Sequence, residues 1–307
     1  MLKKLLFVAI VVAAMAGFLP PPAALACGIV LGMLRMNAFE SQSAVWAKWL
    51  LQASVVALGF GMNFGEVARV GREGFLYTAI SITFAIGAGV LLGRWLKVPA
   101  KAGFLITAGT AICGGSAIAA IAPITKPSRE ELGMSLGAVF TLNSIALFLF
   151  PAIGAWLHLT QSQFGLWAAL AIHDTSSVVG ASAKFGTEAL AIGTIVKLTR
   201  ALWIVPVAML AAWANGSGKR VQIPWFIMLF CLAAAANSYF AGPAAWFSGA
   251  SKLGHHALAA TLFLIGAGIS VETIRKAGPR VMLQGVLLWA LVAGVSLAAI
   301  RSGWIHL

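Results

Sequence analysis

Apolar runs about as long as a membrane-spanning helix alternate with short polar breaks along the whole chain. We place these runs at residues 5–19, 23–36, 46–64, 74–93, 103–122, 135–157, 164–184, 190–214, 222–241, 257–272 and 281–301. A helix needs roughly 20 mostly apolar residues to cross the hydrocarbon core of a bilayer. The pattern therefore predicts an all-α polytopic membrane protein with about 10–11 transmembrane helices.

Turn-forming and charged residues separate the runs. These breaks lie at residues 20–22, 69–73, 126–131, 215–220 and 275–280. They are short, and none has the length or composition of a flexible linker or a soluble domain. The sequence therefore predicts one integral membrane domain over residues 1–307.

The first apolar run allows two interpretations. Lys3 and Lys4 precede it and residues 24–26 read Ala-Leu-Ala, an order that resembles a signal peptide. Alternatively, the run is a first membrane helix that is broken at the three prolines of residues 20–22. We favour the membrane helix.

The composition supports a membrane location. Of the 307 residues, 61% are hydrophobic and only 9% are charged, whereas soluble domains carry about 25% charged residues. A soluble fold of this size has too little interior for so many apolar side chains. The chain also lacks the strand-length alternation of an outer-membrane barrel. We therefore expect a multi-pass protein of the bacterial inner membrane.

The formal net charge of +13 is spread over the breaks and forms no single patch. Nucleic acid is therefore not an expected partner, and Lys and Arg in short loops instead set the topology. With eleven helices, the side that holds the N-terminus collects twelve Lys and Arg and the other side seven. This bias predicts a cytoplasmic N-terminus and a periplasmic C-terminus.

Two consecutive glycines interrupt the apolar run at 103–122. They lie in the sequence Cys113-Gly114-Gly115-Ser116, and each weakens a helix by roughly 1 kcal/mol relative to Ala. A break there frees backbone N–H groups and exposes the positive end of a half-helix that starts near Ser116, which suits an anion. Close helix packing through small residues explains the same pattern, and the residues alone leave both interpretations open.

A dense polar cluster lies inside the run at 164–184. It comprises His173, Asp174, Thr175, Ser176 and Ser177, and Asp174 is the only aspartate in the chain. An acid in the hydrocarbon region is costly, so it is a functional candidate by default. The alternatives are that Asp174 caps a helix nearer the interface and that the hydroxyls bond back to helix carbonyls.

Two cations lie three residues apart in the run at 190–214. Lys197 and Arg200 share one helix face and have apolar neighbours on both sides. Asp174 is the expected counter-charge, and one acid leaves a positive surplus that an anionic substrate can meet. Arg also suits bidentate recognition of an oxyanion. The alternative is that both side chains reach out to a nearby interface.

Three short internal similarities favour inverted repeats, although their spacings disagree. They pair residues 57–64 with 264–271, 104–109 with 263–268, and 111–116 with 171–176. Transporters are often built from repeats of this kind, with substrate sites at discontinuous helices. We therefore expect broken helices, and an internal repeat stays a hypothesis.

Several of these segments resemble the YeiH family of proposed sulfate exporters. The resemblance rests on Gly-Thr-Ala-Ile-Cys-Gly-Gly-Ser-Ala-Ile-Ala-Ala at 109–120, Ile-His-Asp with Ser-Ser-Val at 172–178, and Val-Lys-Leu-Thr-Arg at 196–200. Ala-Cys-Gly-Ile-Val-Leu-Gly-Met at 26–33 and Leu-Gly-Phe-Gly-Met-Asn at 58–63 fit as well. The resemblance implies an inner-membrane protein of about ten or eleven helices, related to carriers with crossed, broken helices and inverted repeats. It also implies sulfate as the substrate.

These observations predict a secondary transporter of a small anion that works by alternating access. Lys197 and Arg200 attract the anion, and the broken backbone at Cys113, Gly114, Gly115 and Ser116 holds it. Asp174, with His173, accepts a coupling proton or balances the cations in the empty state. A sodium ion held by Ser176, Ser177 and backbone carbonyls is the second choice, and Thr175 belongs to the same coupling cluster. The chain has no nucleotide-binding motif and no CxxC spacing, so we expect neither a cofactor nor a metal centre.

Other functions stay open alternatives. The substrate is sulfate, a related sulfur oxyanion, a sulfonate or a small organic carboxylate. An anion channel is the alternative of another class, although rings of charge from an oligomer are missing. A membrane enzyme that uses Cys113 or the pair His173-Asp174 is less favoured, because Cys113 has no base near it in sequence and no metal-ligand cluster occurs. A structural or assembly subunit is a further alternative. A second copy of the chain is a conceivable partner in a homodimer.

Overall fold

The computed structural model describes residues 2–214, 225–240, 244–268 and 278–307, and the regular elements in these ranges are α-helices. They are α1 (Leu2–Met15), α2 (Pro21–Met33), α3 (Glu40–Gly59), α4 (Phe64–Trp95), α5 (Ala100–Ala111), α6 (Gly115–Thr125), α7 (Arg129–Trp156), α8 (Gln161–Ala171), α9 (Thr175–Phe185), α10 (Thr187–Leu202), α11 (Ile204–Ala214), α12 (Trp225–Tyr239), α13 (Ala244–Ala267) and α14 (Pro279–Arg301). The predicted break at 215–220 and most of that at 275–280 lie outside the described residues.

Four helical runs in the described part of the chain are long and apolar enough to cross a membrane. They are α4, α7, the run Thr187–Ala214 formed by α10 and α11, and α14. Large apolar side chains cover their outer faces, such as Ile80 and Leu91, which are 61% and 66% exposed. Water would penalise such a surface, and lipid accepts it. The prediction of an all-α polytopic membrane protein is confirmed.

The chain folds as two compact units. The first comprises Met1–Arg69 and Pro224–Val271, and the second comprises Val70–Ile223 and Glu272–Leu307. Each of the two units has its own internally packed helices. The single domain expected from the sequence therefore stays a prediction.

In the first unit, α13 packs against α1, α2 and α3, and α12 packs against α3. α2 and α13 approach closely through glycines: a Cβ on Gly266 would lie 2.6 Å from the Leu25 carbonyl oxygen. Small residues at such crossings let membrane helices pack backbone to backbone. The Phe7 ring of α1 meets the Phe263 ring edge to face at 5.0 Å. The segment is thus helical over Leu2–Met15, and the choice between a signal peptide and a retained membrane helix stays a prediction.

In the second unit, the run at 103–122 is a hairpin, which corrects the predicted spanning helix. α5 and α6 have 12 and 11 residues, and at 1.5 Å per residue each reaches only about half of the hydrocarbon core. The Lys101 ammonium donates to the Lys126 carbonyl at 2.8 Å, and Ile118 packs 3.1 Å from the Cβ position of Gly109. α6 therefore returns along α5. We call residues 100–125 the first hairpin.

The run at 164–184 is also a hairpin and not the predicted spanning helix. α8 and α9 have 11 residues each. The Gln161 side chain, at the start of α8, accepts from the Glu188 N–H at 3.0 Å, just beyond the end of α9. The Phe164 and Phe185 rings stack with centroids 3.8 Å apart. The two ends thus lie together, and we call residues 161–185 the second hairpin.

The two hairpins lie at opposite ends of α7. Near its start, the Ser135 hydroxyl donates to the Ala102 carbonyl of the first hairpin at 3.3 Å. Near its end, Gly154 contacts Phe164 of the second hairpin. The tips, at residues 112–114 and 172–174, therefore point toward each other. They are the positions that the predicted similarity between 111–116 and 171–176 pairs.

The hairpins also correct the charge assignment. The predicted spanning helix at 103–122 counts Lys126 and Arg129 on the side of the membrane opposite Lys101. The bond from Lys101 to Lys126 places both residues at the same end of the first hairpin. Hydropathy alone misses this, since one apolar run of about 20 residues fits one spanning helix or two half-length helices equally well.

Cysteine labelling tests the hairpins. In a background without native cysteines, we expect Lys101→Cys and Lys126→Cys to react with an impermeant maleimide from the same side of the membrane. Lys184→Cys, near the end of the second hairpin, is the matched control and should react from the other side. Opposite labelling of positions 101 and 126 would contradict the fold.

Candidate functional site

The tip of the first hairpin reverses the chain through a glycine. Gly114 has φ 65° and ψ −130°, a conformation that residues with a Cβ rarely adopt. Its N–H donates to the Gly109 carbonyl at 2.8 Å, and α6 begins at Gly115. The predicted helix break at Gly114-Gly115 is confirmed. The Cys113 side chain at this tip is buried.

At the tip of the second hairpin, Asp174 is the N-cap of α9. Its carboxylate accepts from the Ser176 N–H at 3.1 Å and also from the Ser176 hydroxyl. This is the capping role that the sequence left as an alternative. Asp174 and Thr175 are half-buried, whereas His173, Ser176 and Ser177 are buried. Both ring nitrogens of His173 lack a hydrogen-bond partner among the described residues.

The two tips touch each other beside Asn143. A Cβ on Gly114 would lie 3.3 Å from the Cα of Asp174, so no side chain separates the two backbones. Asn143 is the middle residue of α7, and its Oδ1 accepts from the Asp174 N–H at 3.1 Å. Its Nδ2 is buried and has no partner in the described part of the chain.

Asn143 was not among the candidate residues selected from the sequence. The available signal was its position, a polar side chain halfway along an apolar helix of 28 residues.

Lys197 hydrogen-bonds to the end of α8. The side chain is completely buried. Its ammonium donates to the Ile172 carbonyl at 2.6 Å and to the Ala169 carbonyl at 3.3 Å. The last carbonyls of a helix have no partner within the helix and carry its negative dipole end. Lys197 therefore neutralises the C-terminal end of α8.

Arg200 connects the two hairpins. It is also completely buried, and its Nε donates to the Ala111 carbonyl of the first hairpin at 2.8 Å. One Nη donates to the Leu170 carbonyl of the second hairpin at 2.8 Å and to the Ser81 hydroxyl at 3.2 Å. The other Nη lies 3.5 Å from the Thr110 carbonyl.

These contacts correct the predicted ion pairing. Among the described residues, Lys197 and Arg200 donate to backbone carbonyls and a hydroxyl, and neither pairs with Asp174. The carbonyls at the ends of α5 and α8 are buried acceptors, and these replace the carboxylate as partners. Complete burial also excludes the alternative that the cations reach an interface.

The N-terminal ends of α6 and α9 form the accessible part of the site. Gly115 and Thr175 are half-buried, and Ser116 is exposed. The N–H groups of Gly115 and Ser116 have no hydrogen-bond acceptor in the described residues. Free N–H groups at a helix start, with the positive end of the dipole behind them, attract anions.

Comparison with known proteins identifies relatives of unassigned substrate. A family model described as conserved hypothetical protein 698 matches residues 1–285. The chain is 47% identical to a UPF0324 membrane protein of Geobacter sulfurreducens, over 92% of this chain and 91% of that protein. It is 45% identical to one of Bdellovibrio bacteriovorus, over 99% and 96% of the respective chains. One of Bacteroides thetaiotaomicron is 44% identical, over 94% and 88%. No solved structure matches the chain.

The backbone of Gly114 gives a test of the tip geometry. Gly114→Ala should lower the thermal unfolding midpoint in detergent, because a Cβ is strained at this φ by about 1–3 kcal/mol and presses on Asp174. Gly87→Ala in α4 is the matched control. Its Cβ meets open space and Ala favours the helix, so its midpoint should stay the same or rise. Equal midpoints in the two variants would contradict the described tip.

Proposed function

The chain belongs to the conserved hypothetical protein 698 family, the UPF0324 or YeiH membrane proteins, and we propose that it is a secondary transporter of a small anion. One observation supports this above all others: two half-length hairpins enter from opposite ends of α7 and meet tip to tip beside Asn143. Irregular backbone at membrane depth is tolerated only inside protein or against an aqueous cavity. Transporters use such discontinuous helices to bind substrate near the midplane, between inverted repeats.

Charge favours an anion as the substrate. Lys197, Arg200 and Asp174 leave a formal surplus of one positive charge around the tips. The N–H groups of Gly115 and Ser116 and the Nδ2 of Asn143 add donors without partners in the described residues. A small oxyanion can accept from several of these donors at once.

The proposed roles of the cations follow from their contacts. Lys197 and Arg200 donate hydrogen bonds to the hairpin carbonyls. In this proposal the two side chains hold the hairpin tips in place and supply a positive electrostatic potential. The direct contacts to the anion come from Gly115, Ser116 and Asn143. Cys113 is buried at the same tip.

A proton is the coupling ion in this proposal. Asp174 is half-buried and lies next to the donors, so its carboxylate can meet both water and the anion. His173, Thr175, Ser176 and Ser177 complete the polar surroundings of that carboxylate. A protonated Asp174 removes a negative charge from the site and so favours the anion, which couples the two ligands.

The same geometry supports an orientation in the inner membrane. Six basic residues lie near the open end of the first hairpin: Arg94, Lys97, Lys101, Lys126, Arg129 and Arg280. Three lie toward the opposite side, near the start of α4 and the ends of α9 and α14: Arg72, Lys184 and Arg301. Cytoplasmic loops carry the excess of Lys and Arg. We propose that the first hairpin opens from the cytoplasm and that α14 ends in the periplasm. A cytoplasmic N-terminus is part of the same proposal.

Counterflow in proteoliposomes tests transport. Vesicles loaded with unlabelled sulfate should accumulate labelled sulfate transiently, because a carrier exchanges bound ligand. Asn143→Leu should lose this exchange. Ser144→Ala is the matched control on α7, and it should retain exchange because the Ser144 hydroxyl only bonds to the carbonyl of Phe140 in its own helix.

Sulfite, sulfonates and dicarboxylates are run in parallel. Exchange with one of them alone would identify that anion as the substrate. Flux without exchange would instead indicate a channel, and no flux with any of these anions would refute the proposed function.

The proton role is tested at Asp174. Asp174→Asn keeps the shape of the side chain but cannot exchange a proton, so we expect exchange that no longer varies with pH. Glu188→Gln, an exposed carboxyl at the start of α10, should leave the wild-type pH profile unchanged. A surviving pH profile in Asp174→Asn would exclude this residue as the proton carrier.

A further inference from the structure

We infer that Lys197 and Arg200 occupy the positions where a sodium-coupled carrier binds its sodium ions, so that this carrier works without sodium. The inference rests on the proposed function. It concerns the coupling ion, for which the sequence left a sodium ion as the second choice.

Carriers with discontinuous helices bind sodium through backbone oxygens. The unwound carbonyls and the C-terminal ends of half-helices coordinate the ion, since these groups are unpaired and carry the negative end of the dipole. The ends of α5 and α8 are such groups, and they lie next to the meeting point of the two tips. A sodium site would therefore be expected here.

At the end of α5, backbone N–H groups and Arg200 share the last four carbonyls. Ala108 accepts from the Ile112 N–H at 3.0 Å and Gly109 from the Gly114 N–H at 2.8 Å. The carbonyls of Thr110 and Ala111 face Arg200. Each of the last four carbonyls of α5 therefore already faces a donor.

At the end of α8, both cations take part. The Ala168 carbonyl accepts from the Ile172 N–H at 2.9 Å. The carbonyls of Ala169 and Ile172 converge on the Lys197 ammonium, and the Leu170 carbonyl accepts from Arg200. Lys197 thus lies between two carbonyl oxygens of an unwound helix end, as a bound monovalent cation would.

The Ser176 hydroxyl, one of the groups at which the sequence places a sodium ion, is already engaged. The Ser176 hydroxyl donates to the Asp174 carboxylate, so its proton faces the one acidic group. Any further cation would also lie beside the basic side chains of Lys197 and Arg200, which are completely buried. The Lys197 and Arg200 side chains therefore bind the carbonyl oxygens that a sodium ion would otherwise bind, and so they exclude sodium.

Thermal unfolding of the purified protein tests this inference without any substrate. Sodium chloride is compared with potassium chloride and choline chloride at the same ionic strength. We expect the same unfolding midpoint in all three salts, because ligand binding to the folded state would raise the midpoint. A higher midpoint in sodium alone would overturn the inference.

Removing the ammonium should open the site. We expect Lys197→Ala to unfold at a lower temperature than wild type in potassium chloride and to regain roughly 2–4 °C in sodium chloride. Lys101→Ala is the matched control, because Lys101 also donates to a hairpin carbonyl but is exposed, and it should show no sodium response. A folded Lys197→Ala without a sodium response would refute the claim that Lys197 fills a sodium position.

Counterflow of wild-type protein gives a second readout if Lys197→Ala fails to fold. Exchange of the labelled anion should be equally fast in sodium, potassium and choline buffers. Exchange that depends on sodium would overturn the inference. Loss of exchange in every buffer would instead count against the proposed function, so the two failures are distinguishable.

Discussion

The hydrogen bonds from Lys197 and Arg200 to the carbonyls of α5 and α8 are the interaction on which the rest of the second unit depends. A backbone carbonyl without a partner is expensive in a low-dielectric interior, and two helices that end inside the protein create several of them. The buried cations need acceptors for the same reason. Each group removes the cost of leaving the other unpaired, and therefore both hairpins can reverse inside the protein.

This arrangement separates the two ends of the half-helices by function. The C-terminal ends of α5 and α8 face the side-chain cations, whereas the N-terminal ends of α6 and α9 face the accessible surface with Ser116, Asp174 and Thr175. Negative dipole ends are thus neutralised inside the protein, and positive dipole ends remain available to a ligand. The selectivity for an anion in our proposal follows from this polarity as much as from the charged residues.

The sequence predicted the composition of the site better than its geometry. Hydropathy and the glycine pair indicated an all-α membrane protein with a break at Gly114, and the lone acid pointed to Asp174. The hairpins were not predictable from hydropathy, because a spanning helix and two half-length helices have the same apolar length. The partners of Lys197 and Arg200 were missed for a related reason. A buried basic side chain needs a hydrogen-bond acceptor, but every residue has a backbone carbonyl, so the sequence does not show which carbonyls are free to accept.

Because the Arg200 guanidinium donates to Ala111 in the first hairpin and to Leu170 in the second, the two hairpins are mechanically linked. If one hairpin moved without the other, its hydrogen bonds to the Arg200 guanidinium would have to break, and each such bond contributes about 1.5–3 kcal/mol. Displacement of both hairpins together with α10 leaves these bonds intact. A rigid-body movement of the linked hairpins is therefore energetically favoured over two independent gates.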